Sequence, residues 1–473
     1  MQADTLKKIQ QYNQAHLLKF RDSLDLAGKE QLDAQLEAID WDTLDSLIKE
    51  YVLQKPQVKI PENLEPAPYY PIKPENEQQR ALYEKAEALG KDLLENGKVA
   101  TLTVAGGQGT RLGFDGPKGT FPISPVKNKS LFQYFAETLI RIRQKYGKPM
   151  KWYIMTSDMN NEATVQHFTD NNFFGLDPEQ VMFFTQGTMP AIGTDGKLLL
   201  GAKDSLALAP DGHGGTLLAL KRSGALEEMN KNGVEYISYF QVDNPLITIA
   251  NPLFLGLHAL DESEMSAIML AKTGPFEKLG NFCKSGNALE IIEYSDMPEE
   301  LARQTDADGK LRFIAGSPAI HVISRSFIER LTSGGRLNLP WHRADKKVPY
   351  IDDAGNEIIP EDINAVKLES FIFDALPLAS KTMVLEAARE DEFAPTKNRT
   401  GVDSVESCRE MMIDRDCRRL EAAGVAIPRN VDGVPALKVE ISPLAVIDQE
   451  DAVAYVKNKH VSIPVGAGEL YLD

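Results

Sequence analysis

The chain has 473 residues, 42% of them hydrophobic and 26% charged, with a formal net charge of −17. This is the composition of a globular protein too long for one ordinary core, and its acidic balance argues against nucleic-acid binding, which draws on clustered Lys and Arg. No apolar run is long enough to cross a bilayer and no apolar signal core opens the chain; with only Cys283, Cys408 and Cys417 there is no disulfide framework, so the chain reads as cytoplasmic with reduced thiols.

Residues 1–53 carry apolar side chains at helical spacing, with Leu6, Ile9, Leu17, Phe20 and Leu24, then Leu32, Leu36 and Ile39. Asp40 or Asp42 is placed to cap a further helix whose inner face holds Leu44, Leu47 and Ile48, and Trp41 reads as core. Six prolines between 55 and 74 make that stretch an extended connector. Residues 75–97 return to an amphipathic helix ending at Gly97.

Val99 to Ala105 is a short apolar, β-branched run, expected as a buried strand. It runs into Gly106, Gly107, Gly109 and Gly113, where missing Cβ atoms let a backbone turn sharply or touch something. Successive N–H groups in such a turn form an anion-binding concavity, and Arg111 and Lys118 add fixed positive charge. The stretch reads as a polyphosphate cradle at the carboxyl end of a strand. It is not a Walker A loop, because Lys118 is followed by Gly119. It misses the dinucleotide fingerprint by one position, with Leu112 where the last Gly belongs. No strand ending in an acidic residue follows about 20 residues later, which weighs against the competing reading of an NAD(P)-binding oxidoreductase.

From 99 to about 380 strands and helices alternate, which predicts a mostly parallel sheet with helices on both faces and a ligand crevice beyond the strands' carboxyl ends. Helix is expected over 131–146 and strand over 151–156, with Asn160 or Asn161 capping the next helix. Strand 181–185 ends at Gln186-Gly187, and a later loop holds Asp211-Gly212-His213-Gly214-Gly215. His213 reads equally as a ligand contact or a structural histidine. Strand 235–242 discharges into Asp243-Asn244-Pro245, where Asp243 is either a hard-cation ligand or a turn former. A strand is expected at 288–293, ending at Glu293, and the stretch 313–322 contains Ala315-Gly316-Ser317. Lys367, in 366–375, has either a ligand or solvent before it. A strand at 382–385, a helix over 403–423 and short C-terminal strands with Gly and Pro turns complete the chain.

The run Ala105-Gly-Gly-Gln-Gly-Thr-Arg-Leu-Gly113 with Pro117-Lys118-Gly119 resembles the nucleotide-binding loop of the eukaryotic-type UDP-sugar pyrophosphorylases, among them the UDP-N-acetylglucosamine (UDP-N-acetylhexosamine) pyrophosphorylases. Further stations follow in order: Phe183-Phe-Thr-Gln186, Ala209-Pro-Asp-Gly-His-Gly-Gly215, Val242-Asp-Asn244, Glu293-Tyr-Ser295, Ala315-Gly-Ser317, Phe371-Ile-Phe-Asp374, Arg389-Glu-Asp-Glu-Phe393, Pro395-Thr-Lys-Asn398 and Glu440-Ile-Ser-Pro-Leu444. The resemblance implies an α/β fold: a helical N-terminal region (1–97), a Rossmann-like nucleotidyltransferase core with a mixed, mostly parallel sheet (98–380), and a small β-rich C-terminal domain (381–473). It implies the reaction of UTP with a sugar 1-phosphate to give a UDP-sugar and pyrophosphate, with Mg²⁺. Carried over, Gly106 and Gly107 hold the nucleotide, Arg111 and Lys118 steady the outer phosphates, Gln186 and Gly212 read uracil, and Asp243 binds Mg²⁺. Glu293 and Ser317 contact sugar hydroxyls, while Lys367 and Lys397 approach the phosphates, Lys397 arriving as the C-terminal domain closes. The N-acetylhexosamine enzymes usually carry Asn at the His213 and Ser317 positions, so a UDP-glucose or broad UDP-sugar enzyme stays open as the alternative.

Overall fold

The computed structural model describes residues 1–56, 60–61, 63–464 and 466–473; parts of the Pro-rich connector (57–59 and 62) and position 465 in the C-terminal turn lie outside the described residues. The chain divides into two compact units, Met1–Lys59 with Gln186–Thr216 and Asn338–Asp374, and Ile60–Thr185 with Leu217–Leu337 and Ala375–Asp473.

In the first unit the N-terminal segment forms helices at Ala3–Gln11, Leu26–Glu37 and Trp41–Leu47. Asp25 and Asp40 cap the second and third, accepting from the N–H of Gly28 and Thr43. Ile9, Leu17, Leu32, Leu36 and Trp41 share one buried cluster with Ile192, Leu198, Leu200, Leu206, Val366 and Leu368. The apolar stripe of these helices is therefore buried against short strands from two later segments of the chain, with Trp41 in the core as expected.

The second unit is built on an eleven-stranded sheet. Its strands, in chain order, are β1 (Leu64–Pro66), β2 (Val99–Val104), β3 (Trp152–Thr156), β4 (Val181–Thr185), β5 (Tyr236–Gln241), β6 (Met265–Ala271), β7 (Gly280–Ser285), β8 (Ala288–Ile292), β9 (Ala315–Ser317), β10 (His321–Ser324) and β11 (Thr382–Ala387). The spatial order β1-β7-β9-β6-β10-β5-β2-β3-β4 carries β8 beside β7 and β11 beside β6. β2 and β3 are buried at every residue, so both faces of the sheet are covered there. Helices Glu77–Glu95, Leu131–Tyr146 and Pro252–Leu260 supply much of that cover and its cluster, with Ala86, Leu94, Phe132, Phe135, Leu139 and Phe254.

Pairing is parallel through β5-β2-β3-β4 and between β6 and β11, but antiparallel across β1, β7, β8, β9, β6, β10 and onto β5. The expectation of a mostly parallel sheet thus holds for one half only. The β7–β8 connection is a tight turn through Gly286 (φ +59°), which antiparallel pairing permits and a parallel crossover would not. The helix expected over 403–423 is present as Val405–Ala422. The last fifty residues differ from the expected run of short strands, holding a helix at Gln449–Lys459 and one parallel pair, Lys438–Ile441 with Glu469–Leu472. The second helix is capped by Asp448, with Glu450 and Asp451 in its first turn and Lys457 and Lys459 in its last, a charge pattern that the neighbouring Gly and Pro turns obscure. Cys283, Cys408 and Cys417 are free and buried. Among the described residues no helix is long and apolar enough to cross a membrane.

Candidate active site

Because β2, β3 and β5 run parallel, the loops at their carboxyl ends come to one edge of the sheet. The loop after β2 is tied down through its carbonyl groups. Asn160 donates from Nδ2 to the carbonyls of Ala105 (2.9 Å) and Gly107 (3.3 Å), and Ser157 Oγ donates to that of Gly106 (3.0 Å). Asn160 Oδ1 in turn accepts from the Ser157 N–H at 2.9 Å. Asn160 therefore does not cap the following helix through its side chain, as its position suggests, but buttresses the glycine loop.

The glycines serve different ends. A Cβ on Gly119 would sit 2.1 Å from the Phe132 ring, and one on Gly109 2.7 Å from Phe114, so these two are packing requirements. Gly113 takes φ +72°, in the left-handed region. A Cβ on exposed Gly107 would meet nothing within 4 Å, so the protein's own packing does not demand glycine there.

Lys118 closes the loop. Its N–H donates to the Gly107 carbonyl at 3.0 Å, and its buried side chain brings Nζ to 3.3 Å from Asp243 Oδ2, just beyond β5. Arg111 lies in the Thr110–Leu112 turn, exposed, and makes no ion pair among the described residues. Of the two loop cations, then, only Lys118 is held against Asp243.

Asn244, next in the chain, is buried and uses both ends of its amide. Nδ2 donates to the Glu392 carbonyl (2.7 Å), and Oδ1 accepts from the Ala394 N–H (3.0 Å). The Thr396 N–H adds a bond to the Asp243 carbonyl (2.8 Å), and the Thr248 N–H bonds the Glu392 carboxylate (2.9 Å). This stitching brings Lys397 to the neighbourhood of Asp243, with its Nζ 5.6 Å from the centre of the Phe393 ring. Burial raises the Asp403 carboxyl above the usual range, with Lys397 working to lower it and Asp243 to raise it.

Further along the sheet, β7 pairs with β8 on one side and β9 on the other, setting Gly280 opposite Ser317. Glu293 leaves the end of β8 with Oε1 3.2 Å from where a Gly280 Cβ would stand. Glu293 and Ser317 are thereby gathered about Gly280, a residue without a signal of its own in the sequence.

In the first unit, the Asp211 N–H donates to the Gly187 carbonyl (3.0 Å), which draws Gln186 and the Gly212–Gly215 turn together. Gly212 takes φ +86°, and a Cβ there would lie 2.3 Å from the Ser370 carbonyl oxygen. His213 stacks on Phe371 (5.2 Å between centres, 22° between planes), and its Nδ1 accepts from the Ile372 N–H at 3.2 Å. Burial, with His342 nearby, depresses it to about 4, so it is neutral and carries its proton on Nε2. The structural role left open for His213 is filled in this way. Lys367 is half-buried on strand Ala365–Glu369, opposite Ala344.

Asp243 is a single carboxylate, and no group of three or more His, Cys, Asp or Glu side chains among the described residues forms a metal cage. One carboxylate suits a cation such as Mg²⁺, which takes most of its other ligands from phosphates and water.

The family model described as UTP–glucose-1-phosphate uridylyltransferase matches residues 41–438. The chain belongs to that uridylyltransferase family. It is similar to UDP-N-acetylglucosamine diphosphorylase 2 of Arabidopsis thaliana, 33% identical across 97% of this chain and 92% of the relative. It is 38% identical to the UDP-N-acetylglucosamine pyrophosphorylase of Saccharomyces cerevisiae across 73% of this chain and 74% of that one. The crystal structure of the UDP-N-acetylglucosamine pyrophosphorylase of Trypanosoma brucei in complex with an inhibitor superposes with a TM-score of 0.84 at 25% identity, covering 100% of this chain and 99% of that one. Uridylyltransferase membership removes the oxidoreductase alternative.

Proposed function

We propose that this chain transfers a uridylyl group from UTP to N-acetylglucosamine 1-phosphate, giving UDP-N-acetylglucosamine and pyrophosphate. The sugar is supported by the names of the similar proteins. The observation that carries the chemistry is Lys118 at 3.3 Å from Asp243, at the mouth of a glycine loop whose carbonyls are tied back by Asn160 and Ser157. With those carbonyls turned away, the N–H groups of Gly106 and Gly107 and the open flank of Gly107 are left for phosphate oxygens, whereas those of Gly109, Leu112 and Gly113 are spent on carbonyls within the loop.

An oxygen of the sugar phosphate attacks the α-phosphorus in line, and the bond to the β-phosphate breaks as pyrophosphate leaves. The attacking phosphate is already ionised, so no side chain has to move a proton. Positioning and neutralisation of crowded negative charge carry the catalysis. Lys118, Arg111 and Lys397 are the cations in this reading, and Lys367 approaches the phosphates. By the family resemblance, Gly106 and Gly107 hold the nucleotide, Gln186 and Gly212 read uracil, His213 stands at a position near the sugar, and Glu293 and Ser317 contact the sugar hydroxyls. A triphosphate offers Lys118 a stronger acceptor than Asp243, which frees that carboxylate to hold Mg²⁺. The cation supplies charge neutralisation at the α-phosphate. The Rossmann-like core is assigned to β2–β5, whose carboxyl-end loops contribute Lys118 and Asp243.

The test is pyrophosphate release with UTP, Mg²⁺ and the 1-phosphates of N-acetylglucosamine, N-acetylgalactosamine, glucose and galactose. N-acetylglucosamine 1-phosphate is expected to give the highest kcat/KM. No turnover with any of the four overturns the reading, and a preference for glucose 1-phosphate overturns the choice of sugar.

A further inference from the structure

Lys272 follows β6 and is buried, yet among the described residues its ammonium makes no ion pair. Glu277, the carboxylate in its field, is held by Arg389 at 2.6 Å. The Lys272 stem passes beside Gly316, its Cγ 3.0 Å from where a Cβ would sit there, and the apolar Leu279 lies against the same position. Its Nζ donates to Asn281 Oδ1. An ammonium without a carboxylate costs several kcal/mol to bury, so this one is retained for something other than stability.

Asn281 indicates what that is. Its place in β7 sets it opposite Ile292 on one side and Gly316 on the other, and its Nδ2 donates to the Ile292 carbonyl at 3.1 Å. An amide can be turned either way, but an ammonium only donates. Lys272 therefore forces Oδ1 toward itself and Nδ2 toward Ile292. The carbonyl so fixed belongs to the last residue of β8, immediately before Glu293. Gly280, one step back on β7, stands under the Glu293 carboxylate and opposite Ser317.

We propose that Lys272 is a positioning residue of the sugar end: by holding Asn281 in one orientation it fixes the Ile292 carbonyl, and with it the point from which Glu293 is presented beside Ser317. This rests on the reading of Glu293 and Ser317 as the sugar contacts. Lys272 acts on recognition of the sugar phosphate and not on that of UTP.

The experiment measures KM for each substrate, and kcat, in Lys272→Met, Asn281→Asp, Glu293→Gln and the Lys272→Met/Glu293→Gln double variant. Lys272→Met is expected to raise KM for the sugar 1-phosphate about tenfold, a loss near 1.4 kcal/mol, with KM for UTP within twofold of the parent. Asn281→Asp keeps an acceptor for Lys272 but loses the donor to Ile292, and is expected to show the same split. Should Lys272→Met fail to fold, Asn281→Asp decides the matter. The double variant is expected to be no worse than Glu293→Gln alone, because both changes remove one interaction. Equal rises in both KM values, unchanged KM values in a folded variant, or additive losses overturn the proposal. A parent chain that turns over no sugar 1-phosphate overturns the functional reading instead, and the proposal with it; an active parent with unsplit variants overturns the proposal alone.

Discussion

Asn160 offers the sharpest test of how the glycine loop is held. It is 1% exposed and bonds Ser157 N–H, the Ala105 carbonyl and the Gly107 carbonyl. Asn160→Ala removes all three bonds. The Gly107 carbonyl retains the Lys118 N–H, but the buried Ser157 N–H and Ala105 carbonyl lose a partner. Each orphaned buried group costs about 1–3 kcal/mol, so destabilisation of roughly 2–6 kcal/mol is expected, before water partly repairs it. The loss falls on the loop carbonyls, so KM for UTP is expected to rise by about tenfold or more while KM for the sugar phosphate changes little. Asn160→Asp is the discriminating partner. It keeps the acceptor for Ser157 but aims a carboxylate at two carbonyl oxygens, and is expected to raise KM for UTP at least as much as alanine does. Urea denaturation gives the stability change, and initial rates at varied UTP give the KM. An Asn160→Ala protein with an unchanged urea midpoint and an unchanged KM for UTP would refute the buttress.

Lys118→Met and Asp243→Asn should each lower kcat/KM by about a hundredfold or more, and the pair should lose less than the product of the two, because the charges act on one phosphate group; a double-mutant cycle on pyrophosphate release checks this. Gly119→Ala should destabilise the fold by about 1–3 kcal/mol or more through the 2.1 Å approach to Phe132 and so lower Tm, whereas Gly107→Ala, with open space around it, should leave Tm unchanged and weaken UTP binding; thermal melts with and without UTP separate the two. His213 is depressed from 6.5 to about 4 by burial, so the unfolded chain binds its proton first. Its contribution is present above pH 6.5 and is lost as pH falls toward 4; His213→Gln should flatten that part of the stability–pH curve.

The sequence by itself determined the local features of this protein. Val99–Val104 is a strand because its β-branched, apolar residues suit burial on both faces, and the loop after it takes its shape from glycines whose replacement is costly at 113, for its positive φ, and at 119, for its approach to Phe132. The order of short motifs from Gly106 to Lys397 was enough to give the family, since each motif is a local turn or strand end legible from adjacent residues. Partnership was decided by tertiary structure. Lys118 meets Asp243 only because β2 and β5 are parallel neighbours, and no spacing in the chain encodes that pairing. Asn160 reads as a cap from its neighbours, yet its amide turns to the carbonyls that the fold brings within reach. The antiparallel half of the sheet, and with it the gathering of Glu293, Ser317 and Gly280, depends on strand register across segments that local periodicity treats as independent. The core that Met1–Lys59 shares with two distant segments has the same cause: an amphipathic helix declares that it has an apolar face, and only the folded chain supplies what covers it.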